Sequence, residues 1–191
     1  MKTRDSGMPA EDSWATFFDP EAVLRALGLD AASGRVVDVG CGYGTFAIPA
    51  ARLTGRDVLA VDIEPGMAEA VAARAHTAGL SRVAAATRDV AANGLGEPDA
   101  SADVILLFNL LHCEDPGGLL REARRVLTPG GRVGVIHWRS DVPTPRGPAL
   151  DIRPRPEDVE RWFLKAGYEL LVGPQMLPPY HFGLVGRKPR P

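Results

Sequence analysis

The stretch "VVDVGCGYGT", Val36 to Thr45, constrains the fold more than any other part of the sequence. A short apolar run, typical of a buried strand, leads directly into three glycines at alternate positions. Glycine loses the most backbone freedom on ordering, so this placement indicates a loop with an unusual conformation or a close neighbour. The strand also carries an acid, Asp38, two residues before Gly40. The stretch therefore predicts a strand, a ligand-binding loop and a helix in succession.

Beyond this loop the chain alternates between apolar strands and helical segments. Later strands are predicted at "DVLAVDI", "RVAAATRDV", "DVILLFNLL" and "GRVGVIHW", with "AANGLGEPDASA" as a loop. After a proline-rich segment, a helix and two strands joined by "LPP" follow, and strands joined so closely must pair antiparallel. Near-continuous apolar strands separated by helices predict a parallel, doubly wound α/β sheet.

Length, composition and charge exclude several classes of protein. The 191 residues suit one domain, and 45% hydrophobic residues with a formal charge of -2 describe a globular chain without a nucleic-acid footprint. The sequence has only two cysteines, too few for a disulfide scaffold. It shows no signal-like N-terminal segment, and no apolar run approaches the ~18 residues of a membrane span. We expect a cytoplasmic protein with neither a nucleic-acid nor a membrane partner.

Three acids, one within the first strand and two at the ends of the next strands, favour a cationic nucleoside ligand over a dinucleotide. The dinucleotide fingerprint is G-x-G-x-x-G, but Thr45 occupies the place of its third glycine. A pyrophosphate would be repelled by Asp38, whereas an amino group would be attracted. Asp62 ends the second strand and can accept both ribose hydroxyls, and Asp89 ends the third and can accept from an adenine amino group. Ribose, adenine and an amino-acid tail together describe S-adenosylmethionine.

With these features the sequence resembles the class I S-adenosylmethionine-dependent methyltransferases. The resemblance covers about Phe17 to the C-terminus and is carried by "VVDVGCGYGTFAIPAA", "VLAVDIEPGMAEA", "TRDV" and "ADVILLFNLLHCEDPGGLLREARRVLTPGGRVGVIHW". It implies a Rossmann-like, seven-stranded, mostly parallel sheet in the order 3-2-1-4-5-7-6 with the last strand antiparallel. It also implies a methyltransferase domain over residues 17–191, preceded by a flexible segment, 1–16, that can act as a lid.

The resemblance further implies which residues bind S-adenosylmethionine. Asp38 and the glycine loop surround the methionine part, with Asn109 beside it, while the other residues hold ribose and adenine. Tyr43 is bulkier than the family pattern and can close over the sulfonium. The implied cofactor-binding residues are Asp38, Gly40, Cys41, Gly42, Tyr43, Gly44, Asp62, Ile63, Asp89, Val90 and Asn109.

Aromatic and imidazole side chains are predicted to gather at the same edge of the sheet. In an open parallel sheet, ligands bind outside the carboxyl ends of the strands. His112 and His137 are therefore candidate catalytic bases, because imidazole titrates near neutrality, although each ring can instead bond only to backbone. No tight metal-ligand spacing occurs, so no metal is expected. The candidate substrate-binding residues are Trp138, Tyr180 and His181.

Two segments are candidate covers for the site. One is "SWATFF" near the N-terminus, and the other is the proline-rich segment "RSDVPTPRGPALDIRPRP". Arginines of the second segment can contact an anionic acceptor, although solvated loop charges are the alternative. These arginines are Arg139, Arg146, Arg153 and Arg155.

Taken together, the sequence predicts an S-adenosylmethionine-dependent methyltransferase with an unidentified, small-molecule acceptor. Two alternatives stay open at this point: a protein that binds the cofactor without catalysis, and a nicotinamide-dependent oxidoreductase. The methylated atom and the oligomeric state do not follow from the residues.

Overall fold

The computed structural model describes residues 19–191, which form a seven-stranded sheet flanked by helices. The strand order is β3-β2-β1-β4-β5-β7-β6, as predicted. β7 runs antiparallel to both of its neighbours, and the remaining pairs are parallel. The strands are β1 Val36–Val39, β2 Val58–Asp62, β3 Val83–Thr87, β4 Ala102–Phe108, β5 Leu127–Trp138, β6 Glu169–Leu177 and β7 His181–Arg187.

Helices cover both faces of this sheet, which explains the continuous apolar strands. Alternate strand residues face opposite sides, so Leu106 joins the core under α1 to α3 while Leu107 joins the core under α5 and α6. A short 3₁₀ helix, Leu150–Ile152, lies in the proline-rich segment. The helices are α1 Pro20–Ala26, α2 Ala47–Thr54, α3 Pro65–Thr77, α4 Val90–Asn93, α5 Pro116–Val126 and α6 Pro156–Lys165.

The strand register brings the predicted site residues to one edge. Asp38 pairs with Ala60 on one side and with Leu106 on the other, so β1 lies in the middle of the parallel strands. The antiparallel β7 begins at this same edge, where His181 pairs with Trp138 at the end of β5. The topology therefore places the glycine loop and the histidines on a common rim.

Two strands end earlier than the sequence predicts. β3 stops at Thr87 because the side chain of Asp89 accepts a hydrogen bond from the Ala92 N–H at 3.0 Å and caps α4. Part of the predicted loop after it is therefore helical. β4 stops at Phe108, because Asn109 adopts a φ of 58° and turns the chain out of the sheet.

The expected lid at the N-terminus, with Trp14, Phe17 and Phe18, lies outside the described residues, as does the predicted flexible segment 1–16. Among residues 19–191, no helix combines the length and the hydropathy needed to cross a membrane.

Candidate active site

The glycine loop has the unusual backbone that its sequence predicts. Gly40, Gly42 and Gly44 adopt φ values of 68°, 51° and 80°, a region that other residues seldom occupy. A Cβ on Gly40 would also lie 2.7 Å from Cδ2 of Leu110. The N–H of Gly40 donates to the Val61 carbonyl at 2.7 Å, which ties the loop to the end of β2. The glycines are thus required by backbone conformation and by packing within the loop.

Asp62 fixes this loop from the neighbouring strand. Its Oδ2 accepts the Gly42 N–H at 2.9 Å, and its Oδ1 accepts the Glu64 N–H at 3.0 Å. The side chain is buried at the end of β2. Each carboxylate oxygen has a further lone pair, so Asp62 can hold the loop and accept ribose hydroxyls together. The predicted ribose contact is compatible with this second, structural role.

Asp38 is a buried and poorly compensated acid of the site. Its side chain is 2% exposed, and Oδ2 has no hydrogen-bond partner in the part of the chain described. Burial, followed by the charge of Asp62, raises the pKa of Asp38 to about 8. A hydrogen bond from the Ala47 N–H acts in the opposite direction and lowers this pKa. Such a carboxyl is stabilised by a cationic donor, and the ammonium of an amino acid supplies one.

Asn109 presents a second set of uncompensated polar atoms at the end of β4. Its N–H donates to the Ile136 carbonyl at 2.8 Å, which holds the residue at its positive φ. Both side-chain atoms, Oδ1 and Nδ2, are buried without a hydrogen-bond partner within residues 19–191. Since β1 and β4 are adjacent, Asp38 and Asn109 flank the same stretch of rim. Together they fit a zwitterionic amino-acid group, as S-adenosylmethionine carries.

The other predicted cofactor residues lie around this rim in differing environments. The guanidinium of Arg74 donates to the Tyr43 carbonyl at 2.6 Å and lies 5.7 Å from its ring centroid. Tyr43 therefore contacts α3 here, and its closure over a sulfonium stays a prediction. Cys41 is buried in the core under α2, and its pKa is raised by burial. Ile63, Asp89 and Val90 are half-buried.

The two candidate bases touch each other. His112 Nδ1 lies 3.2 Å from His137 Nε2, and the rings meet edge to face. His137 is fully buried, and its Nδ1 lies 3.1 Å from the Trp138 carbonyl oxygen. Burial, and next the proximity of His112, lowers the pKa of His137 to about 3, so this ring is neutral.

These contacts determine where the protons sit. A carbonyl oxygen only accepts, so His137 carries its proton on Nδ1 and its Nε2 must accept. His112 therefore donates from Nδ1, which leaves its own Nε2 with a lone pair. His112 is half-buried, and its pKa is lowered by burial and then by Arg153. In this arrangement His112 Nε2 is the nitrogen of the pair that keeps an available lone pair, and a direct catalytic role for His137 stays a prediction.

The predicted substrate contacts are mostly buried. Trp138 and His181 are each 1% exposed, and their ring centroids are 4.0 Å apart. Burial, with the nearby Arg153, lowers the pKa of His181 to about 3. Tyr180 is half-buried beside Trp138, with ring centroids 6.3 Å apart. In this conformation Trp138 and His181 are buried behind the rim, and their contact with substrate stays a prediction.

Arg153 belongs to the site although the sequence did not distinguish it from its neighbouring arginines. It is 8% exposed, and its guanidinium lies 5.8 Å from the Trp138 ring centroid. Arg139, by contrast, pairs with Asp141 at 2.7 Å. Within residues 19–191, no cluster of three or more His, Cys, Asp or Glu residues could hold a metal ion.

Comparison with known proteins bears on this geometry. A family described as "Methyltransferase domain" matches residues 36–131, which is half of the chain and includes β1 to β4 and the glycine loop. The chain belongs to this family. The methyltransferase is 36% identical over 134 residues to the ubiquinone biosynthesis O-methyltransferase of Xanthomonas oryzae pv. oryzae, covering 63% of this chain and 54% of the relative. The chain spans about half the length of the curated relatives it matches.

Solved structures extend the match over almost the whole methyltransferase. A SAM-dependent methyltransferase from Aquifex aeolicus shares 25% identity with a TM-score of 0.82, covering 98% of this chain and 97% of that one. The [4+2]-cyclase SpnF shares the fold, with 22% identity, a TM-score of 0.76 and coverage of 90% and 80%. S-adenosylmethionine is the cofactor named for the Aquifex aeolicus methyltransferase, and the environments of Asp38, Asp62 and Asn109 in this chain fit such a group.

Proposed function

We propose that this methyltransferase transfers the methyl group of S-adenosylmethionine to a small-molecule acceptor. The observation that carries the proposal is a pair of groups at the rim, Asp38 Oδ2 and the Asn109 amide, that have no hydrogen-bond partner among residues 19–191. Burying them without partners is costly, and the amino-acid part of the cofactor provides both the donor and the acceptor they lack. Family membership and the methyltransferase relatives support the same reaction.

Methyl transfer requires little covalent chemistry from the protein itself. S-adenosylmethionine supplies an electrophilic methyl group, which an acceptor attacks in line with the carbon–sulfur bond. The chain's residues bind the donor, orient the acceptor and exclude water. Asp38 and Asp62 favour the positively charged donor over its neutral sulfur product, because their charges act on the sulfonium side of the rim.

We further propose that His112 takes the proton of the acceptor. Its Nε2 holds the lone pair, and its Nδ1–H bond to His137 keeps that tautomer in place. His137 is a positioning residue, since the bond from its Nδ1 to the Trp138 carbonyl leaves Nε2 free to accept. When His112 becomes an imidazolium, its Nδ1–H still donates to His137, so proton uptake needs no rearrangement.

Two observations support a small-molecule acceptor. The relative from Xanthomonas is named for methylation of oxygen in ubiquinone biosynthesis, a small molecule. The formal charge of -2 gives no excess of cationic residues for a nucleic acid.

Both cysteines are free thiols, as expected in a reducing compartment, and we propose a cytoplasmic location.

Calorimetric titration tests the cofactor assignment. S-adenosylhomocysteine is expected to bind the purified protein and NADH is not. Binding of NADH alone would instead support the oxidoreductase alternative.

Incubation with methyl-labelled S-adenosylmethionine and a panel of phenols, carboxylic acids and amines then separates an enzyme from a cofactor-binding protein. Binding without transfer to any acceptor would contradict the proposed activity.

A further inference from the structure

A buried arginine stands beside the acceptor end of the site and has no acidic partner within residues 19–191. The Arg153 guanidinium donates to four oxygens, and all four are neutral: the carbonyls of Pro148, Arg139 and Arg146, and the hydroxyl of Thr144. Within residues 19–191, no carboxylate forms an ion pair with it, and burial alone lowers its pKa. The positive charge is therefore left uncompensated in a region of low dielectric constant.

The groups around this charge do not offset it. His137 and His181 are neutral, and Arg153 opposes the protonation of these two rings and of His112, the candidate base. Trp138 contributes only the face of its ring, 5.8 Å from the guanidinium. The acceptor side of the rim thus carries a net positive potential, whereas Asp38 and Asp62 make the cofactor side acidic.

We propose that Arg153 makes the acceptor site selective for compounds that react as oxygen anions, such as phenols or enols, and against ammonium compounds. The inference rests on the proposed function, because it assigns the substrate class of that same site. Arg153 acts through its field and not by contact, since its hydrogen bonds are directed at the proline-rich segment.

The reaction balances with these groups alone. The acceptor O–H passes its proton to His112 Nε2, and the oxygen forms a bond to the methyl carbon. The carbon–sulfur bond breaks, and its electron pair stays on sulfur as S-adenosylhomocysteine forms. Because Arg153 weakens His112 as a base, an acceptor with an acidic hydroxyl is favoured over an alcohol. The same charge stabilises the oxyanion that results.

Three probes of one shape but different charge test the inference. Benzoate, benzyl alcohol and benzylamine are titrated at pH 7.5 into the protein saturated with S-adenosylhomocysteine. We expect benzoate to bind about tenfold or more tightly than benzylamine, the scale of one charge acting through an effective dielectric near 20. Equal affinities, a preference for benzylamine, or no binding of benzoate would overturn the inference.

Variants separate the charge of Arg153 from its hydrogen bonds. Arg153→Gln is expected to reduce the preference for benzoate to less than about threefold, whereas Arg153→Lys retains it. Thr144→Val removes one bond but no charge and should leave the preference unchanged, as should Arg146→Gln at an exposed arginine of the same segment. A preference that survives in a folded Arg153→Gln would overturn the inference.

The controls keep the two proposals distinguishable. Circular dichroism and binding of S-adenosylhomocysteine establish that each variant is folded. If Arg153→Gln does not fold, the titrations of the wild type and of Arg153→Lys decide the question. Both proteins should bind benzoate more tightly than benzylamine, and a wild type without this preference would overturn the inference. Failure of the wild-type protein to bind S-adenosylhomocysteine would contradict the proposed function itself.

Discussion

The two sides of the rim differ in the charge of their buried residues: the cofactor side carries acids, and the acceptor side carries an arginine. On the cofactor side, Asp38 and Asp62 lie close enough that the charge of Asp62 raises the pKa of Asp38. On the acceptor side, Arg153 and three histidines lie close together with no acid paired to Arg153 within the described chain. The arrangement suits a positive donor and a negative acceptor that meet between them. A charge of the same sign on both sides would attract one reactant and repel the other.

The largest expected effect falls on the acceptor side. His112→Ala removes the only imidazole nitrogen of the pair with an available lone pair, so turnover should fall about 10²- to 10⁴-fold. Affinity for S-adenosylhomocysteine should stay the same. Steady-state kinetics together with calorimetry measure the two effects separately. His76→Ala, on the exposed face of α3, is the control and should change neither.

The opposite pattern is expected for Asp38→Asn on the cofactor side. Removing the charge that the ammonium requires should weaken binding of S-adenosylhomocysteine by ~1.5–3 kcal/mol. Calorimetry measures this loss, and Asp57→Asn serves as a control at an exposed acid that pairs with Arg82 at the opposite edge. An unchanged affinity in Asp38→Asn would remove Asp38 from the cofactor site.

Asp62 should differ from Asp38 in its effect on the free energy of unfolding. Asp62→Ala is expected to weaken cofactor binding by roughly 1–3 kcal/mol and also to destabilise the protein, because it removes the acceptor of the Gly42 and Glu64 N–H groups. Asp38→Asn should instead stabilise the cofactor-free protein at pH 7, since it replaces a poorly solvated acid. Urea unfolding of both variants tests this difference, and destabilisation by both would remove the distinction.

A smaller effect concerns pH and the cofactor-free protein. The folded-state pKa of Asp38, about 8, lies above the ~3.9 of an unfolded chain, so the folded state binds more protons between these values. The stability contributed by Asp38 is complete below about pH 4 and is lost as the pH rises toward 8. Unfolding free energies of the wild type should therefore fall relative to Asp38→Asn over this range. A constant difference would show that Asp38 titrates normally.

Most of the fold followed from local signals. The alternation of strands and helices predicted a parallel, doubly wound sheet, and the short "LPP" connection predicted an antiparallel pair at its end. The strand order itself was implied by the resemblance to the class I methyltransferases, and the structure confirms it. The errors at Thr87 and Asn109 arose where one side chain or one backbone angle overrides an apolar pattern. Such local terminations carry only a weak signal in the sequence.

The acceptor side was harder to predict because its contacts are long-range. His112 and His137 are 25 positions apart, and only the pairing of β4 with β5 brings their rings together. Arg153 looks like any other arginine of a proline-rich segment until the folded chain buries it. Burial keeps His137 neutral and removes Arg153 from solvent, and burial is a property of the tertiary structure.

The most direct test of the central claim, that a buried acid at Asp38 receives the ammonium of the cofactor, is the number of protons released on binding. Calorimetric titration of S-adenosylhomocysteine at pH 7 in buffers of different ionisation enthalpy measures it. Because Asp38 is protonated in the cofactor-free protein and ionises beside the ammonium, the wild type should release about one proton and Asp38→Asn almost none. Binding by the wild type without proton release would contradict the account.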